Sequence, residues 1–195
     1  MNRTRLFAVL VPLVLLLSAC GINSVPAAQE EARARWADVQ NDYQRRSDLI
    51  PNIVNTVRAA AAQERNVLRE VTEARASASR IQLTGEQLSD PQAMSRFAQA
   101  QSQLTLSLQR LQEAYPELQS SRQFEMLIVE LEGTENRVSR SRERYNQAVQ
   151  NYNTLIRTFP SSIGASVVHG AEPMVPYQAE PEAQRAPRVD FGNSG

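Results

Sequence analysis

The sequence is poor in the residues that many enzymes and metal sites use: it has one cysteine, one histidine and no lysine in 195 residues. A disulfide needs two thiols and a zinc site needs several ligands, so Cys20 and His169, far apart along the chain, predict neither. A catalytic triad with a histidine base would depend on His169, which lies in a stretch with Gly164, Gly170 and Pro173. We therefore expect no disulfide, no zinc site and no catalytic triad with a histidine base.

Other catalytic patterns are missing as well. The seven glycines are scattered and form no phosphate-binding loop, and no Glu-x-x-His pair occurs that could hold a di-iron centre. Glu130, Glu132 and Glu135 are close together, but arginines surround them, which is typical of a solvated or ion-paired helix face. The 21 basic residues are balanced by 21 acidic ones, so there is no general attraction to nucleic acid. We expect no enzyme, no cofactor and no metal.

The N-terminus has the layout of a secretory signal. The basic stretch MNRTR precedes an apolar run at residues 6–17, which is shorter than the ~20 residues that a membrane-spanning helix needs. The residues LSAC at 17–20 resemble the bacterial lipobox, in which the cysteine is lipidated before the signal is removed. The resemblance implies a mature chain that starts at Cys20 and is anchored to a membrane by acyl chains such as palmitate. An ordinary signal peptide or an uncleaved anchor with a chance cysteine is the alternative.

The rest of the chain is rich in strong helix formers, and its apolar residues recur at helical spacing. The pattern predicts helices at residues 25–47, from Pro51 to about 80, at 91–115 and at about 120–159. Pro51 separates the first two, because proline disfavours helical geometry at the preceding residue but suits a first helical turn. The alternative is that the first two helices form one kinked rod, which leaves three helices.

Four amphipathic helices with short connections predict an all-α fold, namely an antiparallel up-and-down four-helix bundle with an N-terminal signal or lipid anchor and an extended C-terminal tail. The expected organisation is a signal peptide at residues 1–19, a tether at 20–29, the bundle at 30–160 and a flexible, proline-containing tail at 161–195. Near the end of that tail, Val189 and Phe191 lie two residues apart. They are either incidental or part of a short docking peptide.

The fourth predicted helix has an unusual inner face, formed by two rows of residues that we call its seam. Apolar residues recur every seven positions at Phe124, Leu131, Val138, Tyr145, Tyr152 and Phe159. The second row of the seam contains the small polar residues Thr134 and Ser141, with Glu135 and Arg142 beside them. Buried charges need partners from other helices, so interhelical ion pairs that fix the register are one interpretation. A polar groove for a lipid or small molecule is the other.

Several stretches together resemble the LemA family. They are RRSDLIPNIV at 45–54, AYPEL at 114–118, ELEGTENRVSRSRERYNQAVQNYN at 130–153, FP at 159–160 and PYQAEPEAQRAPRVDF at 176–191. The resemblance implies a bacterial four-helix bundle that is tethered to a membrane by its N-terminus, and it implies no particular activity. The chain departs from the family in two places: a lipobox replaces the usual transmembrane helix, and GASVVHGAEPMV replaces a more aromatic and basic pattern.

The candidate structural or interaction residues are Arg45, Arg46, Asp48, Pro51, Glu135, Asn136, Arg137, Arg142, Tyr145, Asn146, Tyr152 and Asn153, and Cys20 is the candidate lipidation site. The expected function is a non-enzymatic interaction or scaffolding module of the bacterial cell envelope, which faces outside the cytoplasm and binds other envelope proteins. A bundle that binds a lipid or small molecule in its polar seam is the alternative. No nucleic-acid partner is expected, and the sequence leaves a homo-oligomer open.

Overall fold

A computed structural model describes residues 23–60, 65–116, 118 and 121–178. Within these ranges the helices are α1 (Ser24–Ala60), α2 (Arg65–Arg80), α3 (Pro91–Ala114), α4 (Arg122–Leu155) and α5 (Ser161–Val167), with a short 3-10 helix at Glu86–Ser89. The same ranges contain no strand, so the predicted all-α class is confirmed. None of these helices has the length and apolar content needed to cross a membrane. The predicted signal peptide, Cys20, Val189 and Phe191 lie outside the described ranges.

Helix α1 continues through Pro51, so the predicted break before Pro51 is wrong. Proline has no N–H to donate to the carbonyl four residues earlier, and this loss usually kinks or ends a helix. Here that carbonyl belongs to Ser47, and it accepts a hydrogen bond of 2.9 Å from Nε of Arg75 on α2. A side chain of another helix therefore replaces the missing backbone donor, and local sequence does not reveal this contact. The residues predicted as the second helix lie in the last part of α1 and in α2.

The other helix ends agree with the sequence to within a few residues. Helix α3 begins at Pro91 and ends at Ala114, two residues before Pro116. Helix α4 ends at Leu155, four residues earlier than predicted, and residues 156–160 form turns. Helix α1 begins at Ser24, so residues 24–29 of the expected tether are helical.

The chain after Pro160 is more packed than its composition predicts. Residues 161–167 form α5, and the irregular segment at residues 171–178 buries Met174 and Tyr177. The expectation of a tail without packed structure is therefore wrong for residues 161–178. Met174 and Tyr177 each follow a proline and lie three residues apart, a spacing that suits an extended proline-containing segment. This pattern is the signal that could have revealed the packing.

The chain divides into two compact units, and α1 and α4 contribute to both. Of the described residues, the first unit contains 23–42, 84–91 and 137–176. The rings of Trp36 on α1 and Tyr145 on α4 lie 5.0 Å apart in this unit. Its buried hydrophobic residues include Val25, Ala32, Trp36, Val39, Leu88, Tyr145, Val149, Tyr152, Ala165 and Met174. This core therefore contains residues of α1, α4, α5, the 3-10 helix and the segment that follows α5.

The second unit contains residues 43–83, 92–136 and 177–178 of the described ranges. One hydrophobic core within it takes side chains from α1, α2, α3 and α4. The most deeply buried are Ile50, Ile53, Val57, Val71, Leu104, Leu111 and Phe124. These are apolar positions that the helical periodicity assigns to the inner faces, so the sequence pattern places this core correctly.

Candidate functional site

Arg46 of α1 places a charge inside the second unit, with 2% of its side chain exposed. Its Nη1 atom donates hydrogen bonds to Oε2 of Glu135 on α4, at 2.7 Å, and to Oγ1 of Thr105 on α3, at 3.1 Å. Its Nη2 atom donates to Oε1 of Gln101 on α3, at 2.9 Å. A buried charge is costly unless it is paired and hydrogen-bonded. This guanidinium is paired with Glu135 and bonded through both terminal nitrogens, while its buried Nε atom has no hydrogen-bond partner. Arg46 therefore joins three helices at one point.

The contact between Arg46 and Glu135 is an interhelical ion pair of the kind that the first interpretation of the polar seam requires. Glu135 keeps 44% of its side chain exposed, so the pair lies at the edge of the core rather than at its centre. The sequence identified both of these residues but not Gln101 or Thr105. A signal for Gln101 exists, because it is a polar residue in the otherwise apolar row of α3 that contains Phe97.

An aromatic cluster lies beside Arg46. The guanidinium carbon of Arg46 lies 4.9 Å from the ring centroid of Tyr43, which is a cation–π distance. The Tyr43 ring meets that of Phe97 on α3 edge to face, with centroids 5.3 Å apart. The Tyr43 hydroxyl donates a hydrogen bond of 2.8 Å to the hydroxyl of Tyr177. The segment after α5 is thus fixed to α1 within this unit.

Three candidate residues on α4 in the first unit, Tyr145, Tyr152 and Asn153, hold the segment after α5, and we call them the α4 clamp. Nδ2 of Asn153 donates to the carbonyl of Met174 at 2.8 Å, while its Oδ1 accepts from the N–H of Met174 at 2.9 Å. The hydroxyl of Tyr152 donates to the carbonyl of Glu172 at 3.0 Å. One amide side chain therefore satisfies both backbone groups of Met174, as a neighbouring β-strand would.

Tyr145 completes the α4 clamp at Val175, the residue that follows Met174 in the segment. Its hydroxyl donates to the carbonyl of Val175 at 2.9 Å, and the N–H of Val175 donates to the carbonyl of Leu88 at 2.8 Å. Residues from α4 and from the 3-10 helix thus hold successive backbone groups of this segment. The recognition is of backbone rather than of side chains, which explains why the sequence pattern alone gave little sign of it.

Burial raises the pKa of Tyr145 and of Tyr152 above the ordinary value of a phenol. For Tyr152, desolvation is the main cause, while the charge of Arg33 lowers its pKa and that of Glu172 raises it. Both hydroxyls therefore stay protonated at neutral pH. A protonated hydroxyl is the state that donation to a backbone carbonyl requires.

The small polar residues at the centre of α4 bond within their own helix. The hydroxyl of Thr134 donates to the carbonyl of Leu131 at 2.6 Å, and that of Ser141 donates to the carbonyl of Val138 at 3.0 Å. Both residues are buried. Each hydroxyl hydrogen is already used inside the helix, so neither residue offers it to a ligand.

The remaining candidates occupy more exposed positions. Arg45, Asn136 and Arg137 are exposed, and Arg142 and Asn146 are half-buried. Asp48 is also exposed and accepts a hydrogen bond of 2.7 Å from Nε2 of Gln44, one turn earlier on α1. Across the residues that the structure describes, no group of three His, Cys, Asp or Glu side chains is placed to hold a metal ion.

Two surface grooves lie on either side of α4 in the second unit. A groove of about 480 Å³ is lined by residues of α1 and α4, among them Asn52, Asn55 and Met126. A groove of about 260 Å³ is lined by residues of α3 and α4, among them Gln112 and Val129. Met126 and Val129 are themselves exposed, large and apolar. We call these two residues the α4 ridge.

Comparison with known protein families gives a match to the model of the LemA family over residues 35–191. A comparison with curated proteins finds no match. The matched range includes Arg46, Glu135 and the whole α4 clamp. It does not include the predicted signal peptide or Cys20.

Proposed function

The chain belongs to the LemA family, since the match covers most of its length, and on this premise we propose that it is a membrane-tethered, non-enzymatic protein of the bacterial cell envelope that binds other envelope proteins. The tether in this proposal is a lipidated Cys20, which the lipobox-like LSAC supports. The arrangement we propose for its long helices is an antiparallel four-helix bundle, and the shared core of α1, α2, α3 and α4 in the second unit supports it.

One observation carries the scaffolding role: the distinctive polar residues of the matched motifs bind other parts of the same chain. Arg46 and Glu135 join α1, α3 and α4, and the α4 clamp holds the backbone of residues 172–175. Side chains that serve a reaction would instead converge on a cavity where a substrate fits. These side chains stabilise one arrangement of helices, which is what a rigid binding module requires.

The α4 ridge is the surface that best fits a protein partner in this proposal. It presents two large apolar side chains, Met126 and Val129, with a groove on each side. Glu130 and Glu132 line those grooves and are exposed, so a partner with apolar side chains flanked by basic residues would complement the ridge.

A crosslinking experiment in living cells tests this function. A photo-reactive amino acid in place of Met126 should form adducts of discrete mass with envelope proteins. The same amino acid in place of Gln109, which is exposed on α3 in the same unit, is the matched control. The yield of these adducts should fall in a chain that also carries Val129→Asp. Equal crosslinking from the two positions would contradict the proposal.

The alternative function, binding of a lipid or small molecule in the polar seam, has less support. The hydroxyls of Thr134 and Ser141 already donate to carbonyls of their own helix. The two grooves described above are lined by neither residue. Lipid that copurifies with the protein and is lost on Thr134→Val would favour this alternative.

A further inference from the structure

Four large apolar side chains are exposed at the end of the described helices: Phe159, Ile163, Val167 and Val168, with exposed fractions between 57% and 78%. Ile163 and Val167 lie four residues apart on α5 and therefore share one side of that helix. Phe159 and Val168 lie just before and just after it. We call the four residues the α5 patch. A patch of this kind on a protein surface usually marks contact with another protein or with a membrane.

The packing of α5 directs this patch outwards. Ser161 and Ala165, on the other side of the helix, are buried. The hydroxyl of Ser161 donates to the carbonyls of Leu155, at 2.7 Å, and of Thr158, at 2.9 Å. These bonds fix the start of α5 to the end of α4, so the α5 patch is held at the C-terminal end of α4.

That end of the first unit also contains the start of α1. Trp36 of α1 contacts Tyr145 of α4, and the charge of Arg33, three residues earlier on α1, acts on Tyr152, seven residues later on α4. The two helices are therefore antiparallel here. At ~1.5 Å per residue, the first residue of α1 lies about 18 Å from Trp36, and the last residue of α4 lies about 15 Å from Tyr145. The first residue of α1 and the last residue of α4 therefore lie at nearly the same height along the two helix axes.

The next step depends on the lipid anchor of the proposed function. Cys20 lies four residues before Ser24, and an extended chain covers at most ~3.6 Å per residue, so the acylated residue would lie within about 15 Å of the start of α1. The α5 patch would then face the membrane surface. Arg157, which is exposed just before the patch, suits the anionic headgroups of a bacterial membrane.

We propose that the α5 patch inserts into the same phospholipid leaflet that holds the acyl chains of Cys20. With seven residues α5 is far too short to span the membrane, so the insertion is interfacial, roughly 5–10 Å into the boundary between headgroups and acyl chains. A second attachment through the α5 patch fixes the orientation of the first unit on the bilayer.

Lipid quenching of an introduced indole tests this insertion. The full-length protein carrying Phe159→Trp is purified from membranes and reconstituted into vesicles of phosphatidylethanolamine and phosphatidylglycerol that contain brominated lipid. Ser139→Trp is the matched control, because Ser139 is exposed on α4 in the same unit, about 24 Å before the end of that helix. The native Trp36 is buried and contributes the same background to both.

We expect the Phe159→Trp protein to be quenched several-fold more than the control, and more strongly by bromine near the headgroups than by bromine near the chain ends. Adding Ile163→Ser and Val167→Ser, both at exposed positions, should reduce that quenching towards the control value. Equal quenching of the two proteins would overturn the proposal, as would protection of the indole by a second copy of the chain, detected as a crosslinked dimer without quenching.

The mass of the N-terminal peptide from the same preparation separates this proposal from the anchor. An acylated Cys20 without quenching of the introduced indole would leave the anchor intact and overturn the insertion. Quenching without an acyl mass would support contact of the α5 patch with lipid, but it would contradict the anchor and overturn the claim that patch and acyl chains share a leaflet.

Discussion

A buried guanidinium depends on each of its neighbours, because removal of its counter-charge leaves a charge in a poorly solvated place. Arg46 has such an arrangement: Glu135 supplies the opposite charge, while Gln101 and Thr105 supply neutral acceptors. The need of Glu135 for a partner could be predicted from the sequence. Its partner could not, because Arg46 lies 89 residues away and the register of two helices is not encoded locally.

We expect Glu135→Ala to lower the free energy of unfolding by about 1–3 kcal/mol. This is less than the full cost of an unpaired buried charge, because Glu135 is partly exposed. Glu132→Ala is the control, since Glu132 is exposed on the same helix, and it should change the free energy by less than about 0.5 kcal/mol. Urea unfolding at neutral pH measures both, and equal effects would show that the ion pair contributes no stability.

The stability of the protein should fall at high pH through Tyr145. Its pKa is raised by burial in the folded state, whereas an unfolded tyrosine titrates near about 10. The contribution of Tyr145 to the free energy of unfolding is therefore complete below about pH 10 and is lost as the pH rises towards its folded pKa. Tyr145→Phe should show a smaller loss of unfolding free energy than the wild type between about pH 9 and about pH 11. Parallel curves would mean that Tyr145 does not titrate differently on folding.

At the scale of the element, α1 shows that tertiary contacts can keep a helix continuous where the sequence predicts a break. Proline inside a helix costs about 3 kcal/mol relative to alanine, in part because one carbonyl loses its donor. Arg75 supplies a donor to the carbonyl of Ser47, and Ser47 also pairs with Ser79 through their hydroxyls, 3.0 Å apart. Helix α2 thus stabilises the turn of α1 that contains Pro51.

A double-mutant cycle tests this compensation. Arg75→Met should lower the free energy of unfolding by about 1–3 kcal/mol in the wild type, because the carbonyl of Ser47 loses a charged donor. In a Pro51→Ala background the same change should cost distinctly less, because residue 51 then supplies a backbone N–H to that carbonyl. Additive effects in thermal or urea unfolding would show that the two features are independent.

The α4 clamp can be opened at Asn153. Asn153→Asp removes the donor to the carbonyl of Met174 and places a carboxylate against it, so the segment at residues 171–178 should detach from α4. Hydrogen exchange at the amides of Met174 and Val175 should accelerate at least tenfold. Asn151→Asp is the control, because Asn151 is exposed on the same helix. Unchanged exchange at Met174 would show that Asn153 does not hold the segment.

At the scale of the whole molecule, the lipid anchor of the proposed function depends on one residue, Cys20. We expect Cys20→Ser to abolish acylation and to cause accumulation of the precursor, because the serine hydroxyl cannot replace the thiol that is lipidated. Intact-mass measurement of the membrane fraction checks this, with Ser24→Ala as a control that should keep the acyl mass. A wild-type chain with no acyl mass would contradict the prediction.

The sequence predicted the parts of the fold that depend on long amphipathic patterns. Leu104 and Leu111 of α3 and the α4 row from Phe124 to Tyr152 are buried as expected, because their periodicity extends over many turns. The last predicted member of the α4 row, Phe159, is 76% exposed, because the helix ends at Leu155. The errors at Pro51 and at residues 171–178 share one cause. In both places backbone groups are bonded by side chains distant in sequence, Arg75 in one case and Asn153 in the other, and no local pattern identifies these partners.

The hydrogen bond between Tyr43 and Tyr177 joins residues that are 134 positions apart. At ~5–20 residues per second, Tyr177 is synthesised roughly 7–27 s after Tyr43. The cluster of Tyr43, Phe97 and Tyr177 is therefore completed late, after α5 has been made. A chain exported N-terminus first would thus remain incompletely folded, and so able to be threaded, during most of its synthesis.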